Sequence, residues 1–185
     1  MATGYHLSDF WEWSFSDLLN NTLRGAFCEF IVAASLDLDL DACRTDWTAW
    51  DLTFPHQWRD GDVIKDEVHL EVKSCAYLQS WEQTKPSNIL FSIRPTLAWD
   101  STTGYGDEVR RQSDVYVFGL YTVTDRSMAD PMNLDGWRFY IISTQTLNDI
   151  CGDQKTISLR SLERLDPIQT DYAGIRDGVL HCISA

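Results

Sequence analysis

The chain has 185 residues, 44% of them hydrophobic and eight of them Trp, with 28 acidic against 15 basic side chains and a formal net charge of −13. This length and composition fit one folded domain, residues 1–185, with a core of its own rather than a disordered polymer. No apolar run approaches the ~18 residues of a membrane span, and the charge excludes a protein that coats nucleic acid through a uniformly basic surface.

Met1 to Trp13 is acidic and aromatic and lacks the basic-then-apolar shape of a signal peptide. Cys28, Cys43, Cys75, Cys151 and Cys182 are widely spaced without a C-x-x-C pair, so neither a zinc site nor a disulfide framework is indicated. Buried thiols in a reducing, cytoplasmic setting are expected.

Phe15 to Asn21, opened by a Ser-x-x-Leu pattern, reads as a short helix. Leu23 to Leu38 reads as a longer one, with Phe27, Ile31, Ala34, Ser35 and Leu38 near helical spacing. The run Asp37-Leu38-Asp39-Leu40-Asp41 ends it, because acids at a helix C-terminus oppose the dipole. Trp47 to Phe54 reads as a strand closed by Pro55, Arg59-Asp60-Gly61-Asp62 as a turn, and Val63 to Cys75 as a second strand. Ala76 to Gln83 is expected to form a short helix, stopped before Pro86.

Further strands are expected at Ile89–Ile93, at Val115–Val123 and at Trp137–Ser143. The second of these is nearly continuous in apolar residues and suits a strand covered on both faces. A helix at Leu159–Leu165 and a last strand at Val179–Ile183 complete the expectation. Helices first, then strands, then helices with a strand between predict an α/β (α+β) fold around a mixed sheet.

Side chains alternate along a strand, so His69, Glu71 and Lys73 share one face while Val68, Leu70 and Val72 share the other. In the preceding strand Asp51 and Thr53 share a face, with Trp50, Leu52 and Phe54 opposite. If the two strands are neighbours, Asp51 and Glu71 converge, and the Val72 carbonyl offers a third oxygen. Few carboxylates plus water and phosphate oxygens are what Mg²⁺ favours. The ion lowers the pKa of a bound water and neutralises charge on a phosphate, and Lys73 holds the attacking water or offsets the extra negative charge of the transition state.

The letters acid-x-Lys are cheap by themselves, since chance yields about 0.6 matches at this composition. A second copy, Asp153-Gln154-Lys155, follows Gly152 in a turn-like region without a strand. A surface ion-pair ladder on a solvated strand face is the competing reading of the first copy.

At these residues the chain resembles the PD-(D/E)xK, or restriction-endonuclease-like, nuclease superfamily. Glu71 to Trp81 in particular resembles its small uncharacterised bacterial members. Asp51 matches the first metal acid, Glu71-Val72-Lys73 the E-x-K, and Gly25-Ala26-Phe27-Cys28-Glu29 the Gly-x-x-x-Glu of the first core helix. Gln79 matches a Gln that some branches carry after the Lys. The resemblance spans Arg24 to Trp81, under a third of the chain. It implies a three-layer core, a mixed central β-sheet flanked by helices, and Mg²⁺-dependent phosphodiester hydrolysis in which Mn²⁺ can substitute. Asp51, Glu71 and Val72 would bind metal, with Lys73, Glu29 and Gln79 completing the catalytic set. Two departures stand out: Trp50 rather than Pro precedes Asp51, and the segment available for a helix after the E-x-K strand is short.

Other residues keep two readings. Glu29 could lie on the exposed side of its helix, and His69 could be a hydrogen-bonded strand histidine. Arg110 and Arg111 could clamp substrate phosphate or pair with the chain's many acids, and Lys85 and Arg94 share that ambiguity. Trp47, Trp50, Trp58, Trp81 and Trp99 could stack bases or fill the core. The functional expectation is a divalent-metal-dependent nuclease acting on nucleic acid, DNA rather than RNA. Double-strand cutting would favour a homodimer. The alternative is a catalytically inactive nuclease-fold subunit that binds a protein partner, motivated by the acidic surface.

Overall fold

The computed structural model describes residues 3–41, 43–44, 48–100, 102 and 104–184. The first helix, α1, runs Leu7–Phe15, and α2 runs Asn21–Ser35. This displaces the helix expected at Phe15–Asn21. Asn20 is an N-cap whose side chain accepts from the Thr22 and Leu23 amides, so the chain must turn before it. Asp37, in the left-handed region at φ 56°, closes α2 as the acidic run required.

Strand β1 (Leu52–Asp60) pairs antiparallel with β2 (Val63–Ala76) across a Gly61-Asp62 turn in which Gly61 has φ +59°. Pro55 does not end β1. It lies opposite Glu67 on an edge strand, where a missing amide is tolerated, and the register shifts between Pro55 and Trp58. The start expected at Trp47 lies outside the described residues.

No helix forms at Ala76–Gln83. The Gln83 side chain accepts from the Gln79 amide and donates to the Tyr77 carbonyl, holding an irregular loop instead. The strand expected at Ile89–Ile93 shortens to β3 (Leu90–Ser92), and a hairpin of β4 (Thr96–Asp100) and β5 (Gly104–Arg110) follows. Then come β6 (Val115–Tyr121), β7 (Trp137–Ser143), α3 (Thr144–Cys151), β8 (Thr156–Ser158), α4 (Leu159–Glu163), β9 (Ile168–Thr170) and α5 (Ile175–Ser184). The strand expected at Val179–Ile183 is thus helical. Ile175, Val179 and Ile183 recur at helical spacing, and all three are buried.

The fold is mixed α/β. Its main sheet has five strands in the order β1-β2-β6-β7-β9, antiparallel except for β2 beside β6, and β3 pairs with β8 in a separate two-stranded sheet. A parallel neighbour needs a long crossover, which residues 77–114 supply. On one face Val72, Val117 and Ile141 pack against Cys28, Ile31 and Val32 of α2 and Val179 of α5. On the other, Tyr116, Phe118 and Ile142 pack with Phe91, Ile157, Leu147 of α3 and Leu162 of α4. Each such fully buried aliphatic or aromatic side chain stabilises the fold by about 1.5–3 kcal/mol. β6 is buried along its whole length because cores cover both its faces.

Candidate active site

Pairing of Leu52 with Leu70 fixes the position of Asp51, whose amide donates to the Leu70 carbonyl at 3.0 Å. Its carboxylate Oδ2 then accepts from the Val72 amide at 2.7 Å and from Lys73 Nζ at 3.4 Å. Lys73 also forms an ion pair with Glu71. One ammonium therefore bridges two carboxylates supplied by two segments: Glu71 shares a face of β2 with Lys73, and the β1–β2 pairing brings Asp51 to them. Leu70 and Val72 both direct backbone groups at Asp51, so the Val72 carbonyl faces the same edge, beyond the last residue of β1 that pairs there. The three side chains retain 23% (Asp51), 21% (Glu71) and 28% (Lys73) of their exposure, enough for solvent and a ligand to reach them.

Burial pushes the Glu71 carboxyl above the usual carboxylate range, opposed by Lys73 and reinforced by Asp51. Burial would lower Lys73, but Glu71 and Asp51 outweigh it and hold the ammonium above the usual lysine range. Lys73 is therefore a fixed positive charge at neutral pH and not a proton acceptor.

Glu29 is buried at the sheet side of α2, which overturns the exposed-helix reading. Arg44 grips it through Nε to Oε2 at 2.6 Å and Nη2 to Oε1 at 2.9 Å. Burial raises the Glu29 pKa, the Arg44 hydrogen bond lowers it, and the Asp51 charge raises it again. Glu29 and Asp51 both line a cavity of about 500 Å³ with Arg44, Trp50 and Phe30. Three carboxylates against Lys73 and Arg44 leave the group with one excess negative charge.

Gln79 lies past the end of β2, and its hydrogen bonds go to the loop rather than to the carboxylates. Its side-chain Nε2 donates to the Ala76 carbonyl and to Ser87 Oγ, while its backbone carbonyl accepts from Arg126. Arg111 is likewise a structural tie. It is 5% exposed and spends its guanidinium on the Ile93 carbonyl, Asn148 Oδ1 and the Gln154 carbonyl, which corrects its expected role as an open phosphate clamp. Arg110 is solvent-facing and pairs with Glu108 at 3.6 Å. Both arginines line a polar cavity of about 490 Å³ toward the opposite end of β2, with Arg59, Lys65 and Asp114.

Trp50 does not join the core as the alternation suggested. It precedes β1 in a bend and stacks on His69 with ring centroids 3.6 Å apart. His69 is held in the strand by its amide, which donates to Asp114 Oδ2 at 2.8 Å. The sequence reading missed Arg44, which sits in a segment without periodicity, and Tyr116, which lies beside Glu71 in the β2–β6 register. Burial and then the Glu71 charge push the Tyr116 hydroxyl far up, so it stays protonated.

No family model, curated protein or solved structure matches the chain. No helix among the described residues is long and apolar enough to cross a membrane.

Proposed function

We propose that the chain is a divalent-metal-dependent nuclease with a restriction-endonuclease-like core, hydrolysing phosphodiester bonds with DNA as its substrate. The observation that carries this reading is the convergence of Asp51 and Glu71 on Lys73 where β1 stops covering β2. The donor set fits a hard cation: two carboxylates and a strand carbonyl, all oxygen, with an excess of negative charge around them. Asp51, Glu71 and the Val72 carbonyl would hold Mg²⁺ or Mn²⁺. When bound, such an ion lowers the pKa of a water and offsets charge on the phosphate.

Lys73, kept as an ammonium, supplies positive charge to the pentacovalent phosphorus of the transition state and a donor that orients the attacking water. Asp51 fixes that ammonium from one side and Glu71 from the other. The Glu29–Arg44 pair keeps a further acid beside Asp51. With a net charge of −13, contact with the substrate is confined to this cleft, and tight nonspecific coating of DNA is not expected.

The test is a digestion panel of plasmid, linear duplex, single strands and RNA in Mg²⁺ or Mn²⁺. Removing a preorganised charge from the reacting centre costs roughly 10²–10³-fold, so cleavage falls at least that far in Glu71→Ala and Lys73→Ala while the fold persists. Equal activity in wild type and Glu71→Ala sinks the proposal.

One observation favours the alternative, an inactive nuclease-fold subunit that binds a protein. A net charge of −13 suits a basic protein partner better than DNA. Calorimetric titration decides between the two, because absence of binding at millimolar Mg²⁺ and Mn²⁺ selects the inactive subunit.

A further inference from the structure

We propose that the polar cavity between the β1–β2 turn and the start of α3 binds a phosphate monoester no larger than a nucleotide, gripped by Arg59 and Arg110. Its volume of about 490 Å³ is that of a small-molecule site. Four of the chain's 15 basic side chains line it, Arg59, Lys65, Arg110 and Arg111, against two acids, Asp60 and Asp114. The lining therefore has two excess positive charges in a body of net charge −13. Bases gathered around one concavity of an acidic protein focus a potential that draws an anion there.

The two acids are already engaged. Lys65 Nζ holds Asp60 at 2.7 Å and Asp114 at 2.8 Å, and Asp114 also accepts from the His69 amide at 2.8 Å. The arginines are placed differently. Among the described residues the Arg59 side chain has no hydrogen bond and no ion pair. The Arg110 guanidinium meets Glu108 at 3.6 Å, and an ion pair that loose and solvent-exposed contributes little. Arg111, buried in the cavity wall, donates to the Ile93 carbonyl, Asn148 Oδ1 and the Gln154 carbonyl, all of them neutral. A buried guanidinium without a carboxylate is costly, and an anion in the cavity it lines offsets that cost.

Neutral donors complete the lining. The buried Ser113 and Thr144 hydroxyls stand 3.4 Å apart, longer than a good hydroxyl hydrogen bond. The Thr144 amide donates to the Asp114 carbonyl at 2.9 Å and the Thr146 amide to Ser143 Oγ at 3.2 Å. The Gln145 amide between them, in a first turn without an acid, is left for an anion. Charge and shape select phosphate. A guanidinium fork matches phosphate oxygens, and a phosphate monoester is close to dianionic at neutral pH, which suits the two excess charges. A simple carboxylate or a phosphodiester brings one. The inference does not depend on whether the chain cleaves DNA, because Lys65 and Lys73 stand about 26 Å apart at the rise of a strand.

The test is calorimetric titration of the full chain in EDTA with inorganic phosphate, thymidine 5′-monophosphate, acetate and an oligothymidylate without terminal phosphates. Wild type is compared with Arg59→Ala/Arg110→Ala and with Glu71→Ala. Both arginines are exposed, so an unchanged circular-dichroism melt certifies the fold of the double variant. We expect both phosphates to bind wild type with submillimolar Kd, and acetate and the strand at least tenfold more weakly. The double variant should raise the phosphate Kd by roughly tenfold or more, while Glu71→Ala binds like wild type. The proposal is overturned by absence of phosphate binding at about 10 mM, or by equal Kd in wild type and the double variant. Acetate or the strand binding as tightly as phosphate also overturns it. So does loss of binding in Glu71→Ala, which would put the anion beside Asp51 and Lys73 instead.

Discussion

Gly119 is where the packing of α2 on the sheet is most sensitive. A Cβ built there would overlap the Cys28 sulfur and stand 3.3 Å from Phe139 Cε1 and 3.4 Å from Trp137 Cζ3. Cys28 is fully buried, and both rings belong to the same core, so none of the three can swing into solvent. Overpacking of this kind costs about 1–3 kcal/mol. At roughly 2–4 °C per kcal/mol for a chain of this size, Gly119→Ala lowers Tm by about 2–12 °C. Cys28→Ala alone leaves a small void and costs about 1 kcal/mol.

In the double variant the new methyl occupies the space the sulfur vacates, so the two changes couple favourably by about 0.5–3 kcal/mol. Thermal and urea unfolding of the four proteins of the cycle measures this. An unchanged Tm in Gly119→Ala, or a double variant no more stable than the sum of the singles, refutes the close approach of α2 to β6. The matter bears on the site, because Glu29 follows Cys28 on the same helix.

Arg111→Ala should destabilise by roughly 1–3 kcal/mol in urea titration, since it strands the buried Ile93 carbonyl and releases the exposed Asn148 and Gln154 segments tied to it. Arg111→Lys should recover less than half, because an ammonium cannot span the same fork of acceptors. Burial pushes the Cys182 thiol up to about 11, so the unfolded chain ionises it first and the folded chain loses stability as pH climbs from the ordinary thiol value toward that one. The urea midpoint between pH 8.5 and 10.5 should therefore fall more steeply in wild type than in Cys182→Ala. Iodoacetamide at pH 8 should label exposed Cys43 in the native chain, and reach Cys28 only on unfolding.

Periodicity by itself determined the parts of the chain where one pattern dominates. Alternation from Val63 onward gave β2 and put Glu71 and Lys73 on one face, and the apolar runs at Val115 and Trp137 gave the two central strands. It failed where two patterns overlap. Val179 to Ile183 is rich in β-branched residues, yet its burial follows a helix, in which Gly178 lets α5 come against Ile141. Gln79 and Gln83 sit at helical spacing, but their side chains bind backbone groups and hold a loop. α3 went unread although Ser143 caps it and Gly152, at φ 49°, ends it.

What only the tertiary structure decided is which charges meet. The acids and the lysine could be read from the sequence, whereas Arg44 on Glu29, Trp50 on His69 and the withdrawal of Arg111 from solvent are long-range contacts that no local pattern encodes. Neighbours in space are set by strand order and loop path. The β1–β2 register joined Asp51 to Lys73, and the fold buries no residue of α1, whose aromatic side chains stay in solvent.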